Sequence, residues 1–390
     1  MKLTYKHTIY ACFLGYMTQA TINNLAPLLF VIFHESLKVD LSRITLLVTA
    51  NFLIQLAVDA LCPYVAEKIG YRKCIVASHI FSASGLIMMG ILPLFMPPFP
   101  ALLISVGAYA VGGGIIEVLI SPITEGCPTE NKTSAMSLLH SFYCWGIICV
   151  VILSTAFLYF FGKESWNILC VLWSLLPIFN AVLFIRVPIN ELEGNKGSKG
   201  LFELFKNPAF LPFILLMVTA GASEQAMSQW ASFFVESSLK LPKALGDLLG
   251  ICTFALFMGI ARVLFSAFGE KVKINYALAV SGIINLLSYI IAALSPYAFV
   301  SLIACAVCGL SSGILWPGVF SMVSSYFPRG GTLIFAILAL AGDLGCSAGP
   351  TLTGFVSTLF NDNLHIGLLS AVIFPLTLII SALTLKKRQS

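Results

Sequence analysis

Four acidic side chains lie deep inside long apolar stretches of this 390-residue chain. They are Asp59, Glu117, Glu224 and Asp343. A carboxylate is costly to place in a lipid bilayer, so each of them should face a protein interior or an aqueous cavity. Acids in such positions commonly carry protons or bind a solute. We therefore take all four as candidate proton-coupling residues.

Glu117 has the most suggestive surroundings of the four. It lies in Gly112–Pro122 (GGGIIEVLISP), whose glycines permit close contact between helices. On a helix, Ser121 lies one turn beyond Glu117 on the same face, and Pro122 leaves a backbone carbonyl without its usual donor. This combination favours a site for a solute and a proton, and a structural hydrogen bond between helices is the alternative.

A second polar segment is Ala222–Trp230 (ASEQAMSQW). Gln225 and Gln229 are four residues apart, so on a helix their amides lie on one face. Polyhydroxylated ligands need such donors and acceptors, and Trp230 and Trp316 would supply flat apolar surfaces for a sugar ring. Packing or a position at the membrane interface is the alternative for each Trp.

A third polar pattern is the stripe formed by Asn51, Gln55 and Asp59, which recur every four residues. The corresponding position in the second half of the chain is Arg262, the one basic residue that falls within an apolar stretch. A salt bridge between Asp59 and Arg262 would form a gate. Separate structural roles for the two residues are the alternative.

The overall composition excludes a soluble fold. Hydrophobic residues make up 58% of the chain and charged residues only 10%, whereas soluble domains carry roughly 25% charged residues. No phosphate-binding loop or catalytic motif is present, so the sequence predicts neither an enzyme nor an ATP-driven pump. Cys305 and Cys308 form a C-x-x-C pair inside an apolar run, which favours small core residues over a metal site. We expect no cofactor and no metal.

Hydropathy and helix breakers divide the chain into twelve predicted spans, enough for an all-α membrane protein without an extramembrane catalytic domain. The first span is long enough to cross the bilayer and lacks a cleavage site, which favours a membrane helix over a removed signal. The twelve predicted spans are 7–31, 44–66, 73–95, 99–124, 133–161, 166–187, 209–236, 245–268, 275–294, 297–324, 331–360 and 364–385.

The longest polar interval falls near the middle of the chain and separates two sets of six spans. We predict an N-terminal six-helix half over residues 1–187, a cytoplasmic linker over 188–208 and a C-terminal six-helix half over 209–390. Of the 22 Lys and Arg residues, only five would lie on the outer side if the N-terminus is cytoplasmic. The positive-inside rule therefore predicts that both termini are cytoplasmic.

The two halves of the sequence resemble each other. Residues 133–146 match 332–345 at an offset of 199, and Pro122 and Pro317 are each late in their span. Duplicated six-helix halves are typical of secondary transporters, in which the substrate site lies between the halves near the middle of the membrane. The sequence therefore predicts a multi-pass transporter in the cell membrane.

The chain resembles the major facilitator superfamily over its whole length. The segment Pro63–Lys73 (PYVAEKIGYRK) is similar to the loop motif of that superfamily between its second and third helices, with Pro63 in place of the first Gly. We assign Glu67, Lys68 and Arg72 of this segment to gating, together with Arg262.

Within the superfamily, the chain resembles the fucose permease group of sugar:proton symporters. The similar segments are Asn23–Leu25, Gly112–Pro122 and Gly309–Ser321. The resemblance implies that Glu117 binds sugar and takes part in proton coupling. The second acid of that group's pattern would fall at Pro27 in this chain. Either Glu117 alone couples proton movement to sugar transport, or another intramembrane acid takes the second role, or the coupling ion differs.

Three functional hypotheses follow. The first is proton-coupled uptake of a small neutral sugar by a monomer, with sodium as the alternative coupling ion. The second is proton-coupled export of cationic amphiphiles. The third is a non-transporting sensor with a transporter fold. The basic residues form no patch, so nucleic acid is not expected as a partner. The predicted substrate-binding residues are Asn23, Asn24, Glu117, Gln225, Gln229, Trp230 and Trp316.

Overall fold

A computed structural model describes residues 3–128, 132–190, 210–268, 273–326 and 331–386. In these ranges every regular element is helical. The chain divides into two compact units, Met1–Gly194 and Asn195–Ser390, which we call unit 1 and unit 2. The all-helical fold predicted from the sequence is confirmed.

Unit 1 contains six long helical segments. They follow the first six predicted spans, and the sixth consists of two consecutive helices. The segments are α1 (Tyr5–Glu35), α2 (Leu41–Ile69), α3 (Tyr71–Ile91), α4 (Pro98–Glu125), α5 (Lys132–Phe161), α6a (Trp166–Trp173) and α6b (Leu175–Arg186).

Unit 2 contains six more segments, three of which are interrupted. One π-helical turn, Phe234–Ser238, follows the first of them, and another, Asp247–Cys252, lies inside the second. The helices are α7 (Leu211–Phe233), α8a (Lys243–Gly246), α8b (Thr253–Phe268), α9 (Ile274–Leu294), α10a (Ala298–Ser312), α10b (Leu315–Tyr326), α11 (Gly331–Leu359), α12a (Leu364–Ser370) and α12b (Ile373–Lys386).

Prolines explain three of the interruptions. The sixth, tenth and twelfth segments break three to four residues before Pro177, Pro317 and Pro375. A proline has no amide hydrogen for the carbonyl four residues earlier, and its ring clashes with that carbonyl. The hydropathy of the sequence predicts single continuous spans here, because hydropathy does not detect a lost hydrogen bond.

Nine of the segments within the described ranges are long and apolar enough to cross a membrane. Three helices, α1, α7 and α11, are not among these nine. In α1 and α7, amide and hydroxyl side chains lower the mean hydropathy. Large apolar side chains such as Leu153 and Val263 cover the exposed surface, as expected for a surface in contact with lipid.

Glycines at equivalent positions bring helices into close contact in both units. A Cβ at Gly146 would lie 2.8 Å from the Cβ of Ala20, where α5 crosses α1. A Cβ at Gly345, the matching position 199 residues later, would overlap the backbone of Val218, where α11 crosses α7. In lipid, small residues at crossings stabilise helix pairs through van der Waals contact. The internal repeat thus has a structural counterpart in packing.

Two predictions about organisation remain predictions. Most of the predicted linker over 188–208 lies outside the described residues, so its bounds, and those of the two halves, are not tested. The cytoplasmic position of both termini is likewise a prediction, since the structure contains no membrane.

Candidate functional site

Glu117 lies at the junction of three helices of unit 1. Its carboxylate Oε2 accepts a hydrogen bond of 3.0 Å from Nε2 of Gln19 on α1. The same nitrogen donates to Oε1 of Gln55 on α2 at 2.9 Å. Glu117 itself is half-buried, while Gln19 and Gln55 are almost completely buried. An acid on α4 is thus connected to two other helices by neutral amides.

The hydrogen bonds continue beyond Gln55. Its Nε2 donates to Oδ1 of Asn23 at 2.8 Å and to Oδ1 of Asn51 at 2.9 Å, and Nδ2 of Asn51 donates to Oδ1 of Asn23 at 3.2 Å. Two residues from α1 and two from α2 therefore form one buried cluster. We call Gln19, Asn23, Asn51 and Gln55 the amide cluster.

The glycines of α4 provide the space for the amide cluster. A Cβ at Gly113 would lie 3.1 Å from Oε1 of both Gln19 and Gln55, and 2.8 Å from a methyl group of Ile22. A side chain at position 113 would therefore push against the amides that hold Glu117. As predicted from the sequence, the glycine-rich segment permits close contact between helices.

Asp59 is the second acid of unit 1 near Glu117. It lies one turn beyond Gln55 on α2, is buried, and has a carboxylate oxygen within 4.8 Å of one of Glu117. The polar stripe predicted on α2 therefore has two kinds of neighbour: Asn51 and Gln55 belong to the amide cluster, and Asp59 lies beside Glu117. Tyr16 and Ser121 are bonded to each other one turn from Glu117, at 3.2 Å.

The other predicted residues of unit 1 have separate contacts. Asn24 is buried and donates to the carbonyl of Ala20 in its own helix. Arg72 donates to the carbonyls of Phe184 and Ile185, the last turn of α6b, at 2.7 and 3.0 Å. A cation at a helix C-terminus stabilises it through the carbonyl groups there.

The remaining residues of the predicted gating segment have no described side-chain contact that supports a gate. Lys68 is exposed, and the side chain of Glu67 lies outside the described residues. The gating role of this segment therefore stays a prediction.

In unit 2, Glu224 is paired with a cation. Its Oε2 lies 3.6 Å from Nη2 of Arg262 on α8b, and the Glu224 side chain is 6% exposed and that of Arg262 24%. The predicted gating residue Arg262 thus has an acidic partner within its own unit. This pair distinguishes Glu224 from Glu117, whose carboxylate is held by an amide.

The other predicted residues of α7 are also buried. Nε2 of Gln229 donates to Oε1 of Gln225 at 3.2 Å, so the two amides that share a face are bonded to each other. Trp230 is fully buried, and its indole N–H donates to the carbonyl of Pro350 on α11 at 2.9 Å. This bond satisfies the one polar group of the Trp230 ring.

Trp316 and Asp343 are related through α11. The ring of Trp316 packs on Gly342, where a Cβ would overlap the ring. Asp343 is the next residue and is half-buried. The structure therefore places Trp316 of α10b against the backbone beside the fourth predicted acid.

Sequence reasoning missed Gln19 and a buried ionic group in unit 2. Gln19 is four residues before Asn23, and this spacing of two amides on one face of an apolar helix was a usable signal. In the ionic group, Nζ of Lys243 lies 3.0 Å from Oδ1 of Asp247 and 4.0 Å from Oε2 of Glu236, and Ser232 donates to Asp247. Lys243 is one of the five basic residues predicted to lie on the outer side, and the sequence indicated no partner for it.

Solved structures show the same fold. The chain matches a mutant of the nucleoside transporter NupG with a TM-score of 0.76 and 16% identity, covering 99% of this chain and 100% of that one. It matches the E. coli fucose:proton symporter FucP with a TM-score of 0.66 and 16% identity, covering 98% and 99%. It matches a D-xylose-proton symporter with a TM-score of 0.77 and 15% identity, covering 98% and 96%.

No curated protein matches the chain in sequence. The profile of the Major Facilitator Superfamily, in contrast, matches residues 10–350, which is most of the chain. The chain is a transporter and not an enzyme, and it is a multi-pass membrane protein. It belongs to the Major Facilitator Superfamily.

Proposed function

We propose that this protein couples the uptake of a small neutral sugar to the movement of protons, by alternating access, with Glu117 as the proton carrier. The observation that carries the proposal is the hydrogen bond from Gln19 to Glu117 within the amide cluster. A carboxyl group held by neutral amides can gain and lose a proton without breaking an ion pair. Such exchange is what a proton-coupled transporter requires of an intramembrane acid.

The amides also support a neutral, polyhydroxylated substrate. Sugar hydroxyls both donate and accept hydrogen bonds, and amides are the side chains that offer both. Asn23 and Asn24 on α1, and Gln225 and Gln229 on α7, remain the proposed sugar-binding residues together with Glu117. The resemblance to the fucose permease group, and a fold shared with fucose and D-xylose symporters, support this substrate class.

The structure gives less support to two of the predicted binding residues. Trp230 already has its indole N–H bonded within unit 2 and is fully buried. Trp316 packs on Gly342. We therefore propose the amides and Glu117, and not the two indole rings, as the main contacts of the sugar.

The proximity of Asp59 to Glu117 favours a second candidate function. Two carboxyl groups within 4.8 Å form a region of negative potential that attracts a cation. An exporter of cationic amphiphiles would use the pair in that way. In a sugar symporter, Asp59 would instead be the acid that replaces the one expected at Pro27.

A transport current measured on a solid-supported membrane tests the proposal. Liposomes with the purified protein are challenged at two pH values with hexoses, pentoses, deoxysugars and organic cations, and protein-free liposomes are the control. We expect an inward positive current that is evoked by a sugar and that falls when the proton gradient is abolished.

Each other outcome points elsewhere. A response only to organic cations would support export. A sugar current that follows a sodium gradient would change the coupling ion. Binding of a solute without any flux would contradict transport and favour the sensor hypothesis.

A further inference from the structure

The amide cluster and Glu117 are joined by five side-chain contacts, and each contact has a direction. As observed, Gln19 donates to Glu117 and to Gln55, Gln55 donates to Asn23 and Asn51, and Asn51 donates to Asn23. This arrangement requires Glu117 to accept, which an ionised carboxylate does.

A protonated Glu117 makes the opposite arrangement available. Rotation of an amide by 180° about its last bond exchanges its nitrogen and its oxygen. If Glu117 donates its proton to Gln19, the Gln19 oxygen takes the place of its nitrogen and faces the Gln55 oxygen at 2.9 Å. Gln55 must then rotate as well.

The same argument applies to the rest of the cluster. Once Gln55 has rotated, its oxygen faces the oxygens of Asn23 and Asn51, so both of these amides rotate too. After all four rotations, every one of the five contacts again joins a donor to an acceptor. Any mixed arrangement leaves two buried oxygens or two buried NH₂ groups in contact, at a cost of about 1–3 kcal/mol for each unsatisfied group.

We propose that the amide cluster is a relay that transmits the protonation state of Glu117 to Asn23 by reversing its hydrogen bonds together. This inference rests on the proposed function, because it links the proposed proton carrier to a proposed sugar-binding residue. It assigns Gln19, Asn51 and Gln55 as positioning residues that couple the two.

Reversal of the relay exchanges the oxygen and the nitrogen at the end of the Gln19 side chain. Its Oε1 is buried and accepts no hydrogen bond from any described residue. In the reversed arrangement Nε2 occupies that position, so a hydrogen-bond acceptor becomes a donor. A hydroxyl group can bond to either atom, whereas a group that only accepts can bond to one. At this position a hydroxyl group of a solute can therefore bond in both protonation states of Glu117, whereas a group that only accepts can bond only when Glu117 is protonated.

The titratable groups around Glu117 within unit 1 come from three elements. Asp59 of α2 lies within 4.8 Å of it. Tyr16 of α1 is bonded to Ser121, and the ring of His140 on α5 lies 5.3 Å from that of Tyr16. None of the three is one of the four amides, so their titration can be separated from the relay by substitution.

Magic-angle-spinning NMR of the full chain in lipid bilayers tests the relay without any ligand. The protein carries ¹⁵N in the side-chain amides of Gln and Asn, and pH is varied. We expect the Gln19 and Asn23 signals to shift with one common midpoint. Both shifts should be lost in Glu117→Gln and retained in Asp59→Asn.

The decisive variant is Gln55→Met, which keeps the length of the side chain and removes its amide. We expect Gln19 to go on shifting with pH while the Asn23 signal becomes independent of it. Thr45→Val is the matched control, because Thr45 is buried on the same helix and its hydroxyl donates to the carbonyl of Leu41 in that helix. This control should behave as the unaltered protein does.

If Gln55→Met does not fold, Gln55→Leu replaces it. Leu also removes the amide and adds no titratable group, so the Asn23 signal should again be independent of pH. An Asn23 signal that does not move in the unaltered protein, or that still follows Glu117 after either change, would overturn the relay. Failure of sugar transport with an intact common midpoint would instead contradict the proposed function alone.

Discussion

Each unit contains an intramembrane acid that is held by a group on another helix, and the two holding groups differ. In unit 1 an amide, Gln19, donates to Glu117. In unit 2 a guanidinium, that of Arg262, lies 3.6 Å from Glu224. An amide tolerates either protonation state of its partner, whereas a fixed positive charge favours the ionised state. The proposed proton exchange would therefore belong to unit 1, while unit 2 contains an ion pair.

The same comparison applies to packing. Gly146 and Gly345 occupy matching positions, and both allow the fifth helix of their unit to cross the first. Small residues at the crossings are thus common to the two units, while the charged chemistry differs. We expect substitutions at the helix crossings to lower the stability of both units. Substitutions of the acids should instead have different effects in the two units.

The largest expected effect is that of Glu117→Gln on accumulation. A membrane potential of 100 mV is worth about 2.3 kcal/mol for each proton, which corresponds to roughly a 50-fold concentration ratio. The variant should lose this accumulation and keep counterflow exchange, because Gln still offers an acceptor to Gln19. Uptake and exchange of a radiolabelled sugar in liposomes measure the two activities. Glu164→Gln, in an exposed turn, is the matched control.

An equal loss of accumulation and exchange in Glu117→Gln would mean that Glu117 binds the solute without carrying the proton. The difference between the two units would then concern substrate contacts and not coupling.

Removal of the cation in unit 2 should have the largest effect on stability. Arg262→Met leaves Glu224 buried beside an apolar group, and we expect a loss of about 2–3 kcal/mol, reduced from the fully buried case by the exposure of Arg262. Unfolding in detergent measures it. Adding Glu224→Gln should restore most of the loss, because no buried charge remains. If the double variant is as unstable as Arg262→Met, the ion pair is not the cause.

Alanine at the matching glycines compares the two helix crossings. Gly345→Ala should destabilise by about 3 kcal/mol and Gly146→Ala by about 1–2 kcal/mol, within the usual cost of overpacking. The first change would overlap the carbonyl oxygen of Val218, whereas the second would place a Cβ 2.8 Å from the Cβ of Ala20 and 3.0 Å from the Cα of Met17, which is a smaller overlap. Thermal unfolding of the two variants side by side gives the order. The reverse order would show that α1 and α5 are the more tightly constrained pair.

Trp230→Phe should have the smallest effect. It removes the hydrogen bond to Pro350 and keeps an aromatic ring, so we expect a loss of about 1 kcal/mol. The unfolding midpoint and the KM for the transported sugar are measured together. A raised KM with unchanged stability would place Trp230 in the sugar site, as the sequence had suggested, and would weaken the contrast drawn with the amides of unit 1.

Much of the candidate site was accessible from the sequence. Glu117 and Asp59 stood out because charged residues are rare in apolar spans, and the spacing of Asn51 and Gln55 showed that they share a face with Asp59. The partners of these residues were not accessible. Gln19 and Glu117 are almost a hundred residues apart, and helical periodicity relates positions within one helix only. Arg262 was noted as the counterpart of Asp59, yet its described partner is Glu224.

By itself, the sequence determined that this protein is a helical membrane transporter with two similar halves. Lipid requires long apolar segments whose backbone groups bond internally, and this requirement is visible in composition and hydropathy. Only the tertiary structure decided that amides hold Glu117 and that a cation accompanies Glu224. Those contacts depend on how each helix is rotated and how closely it approaches its neighbours, which the packing of glycines such as Gly113 and Gly345 controls.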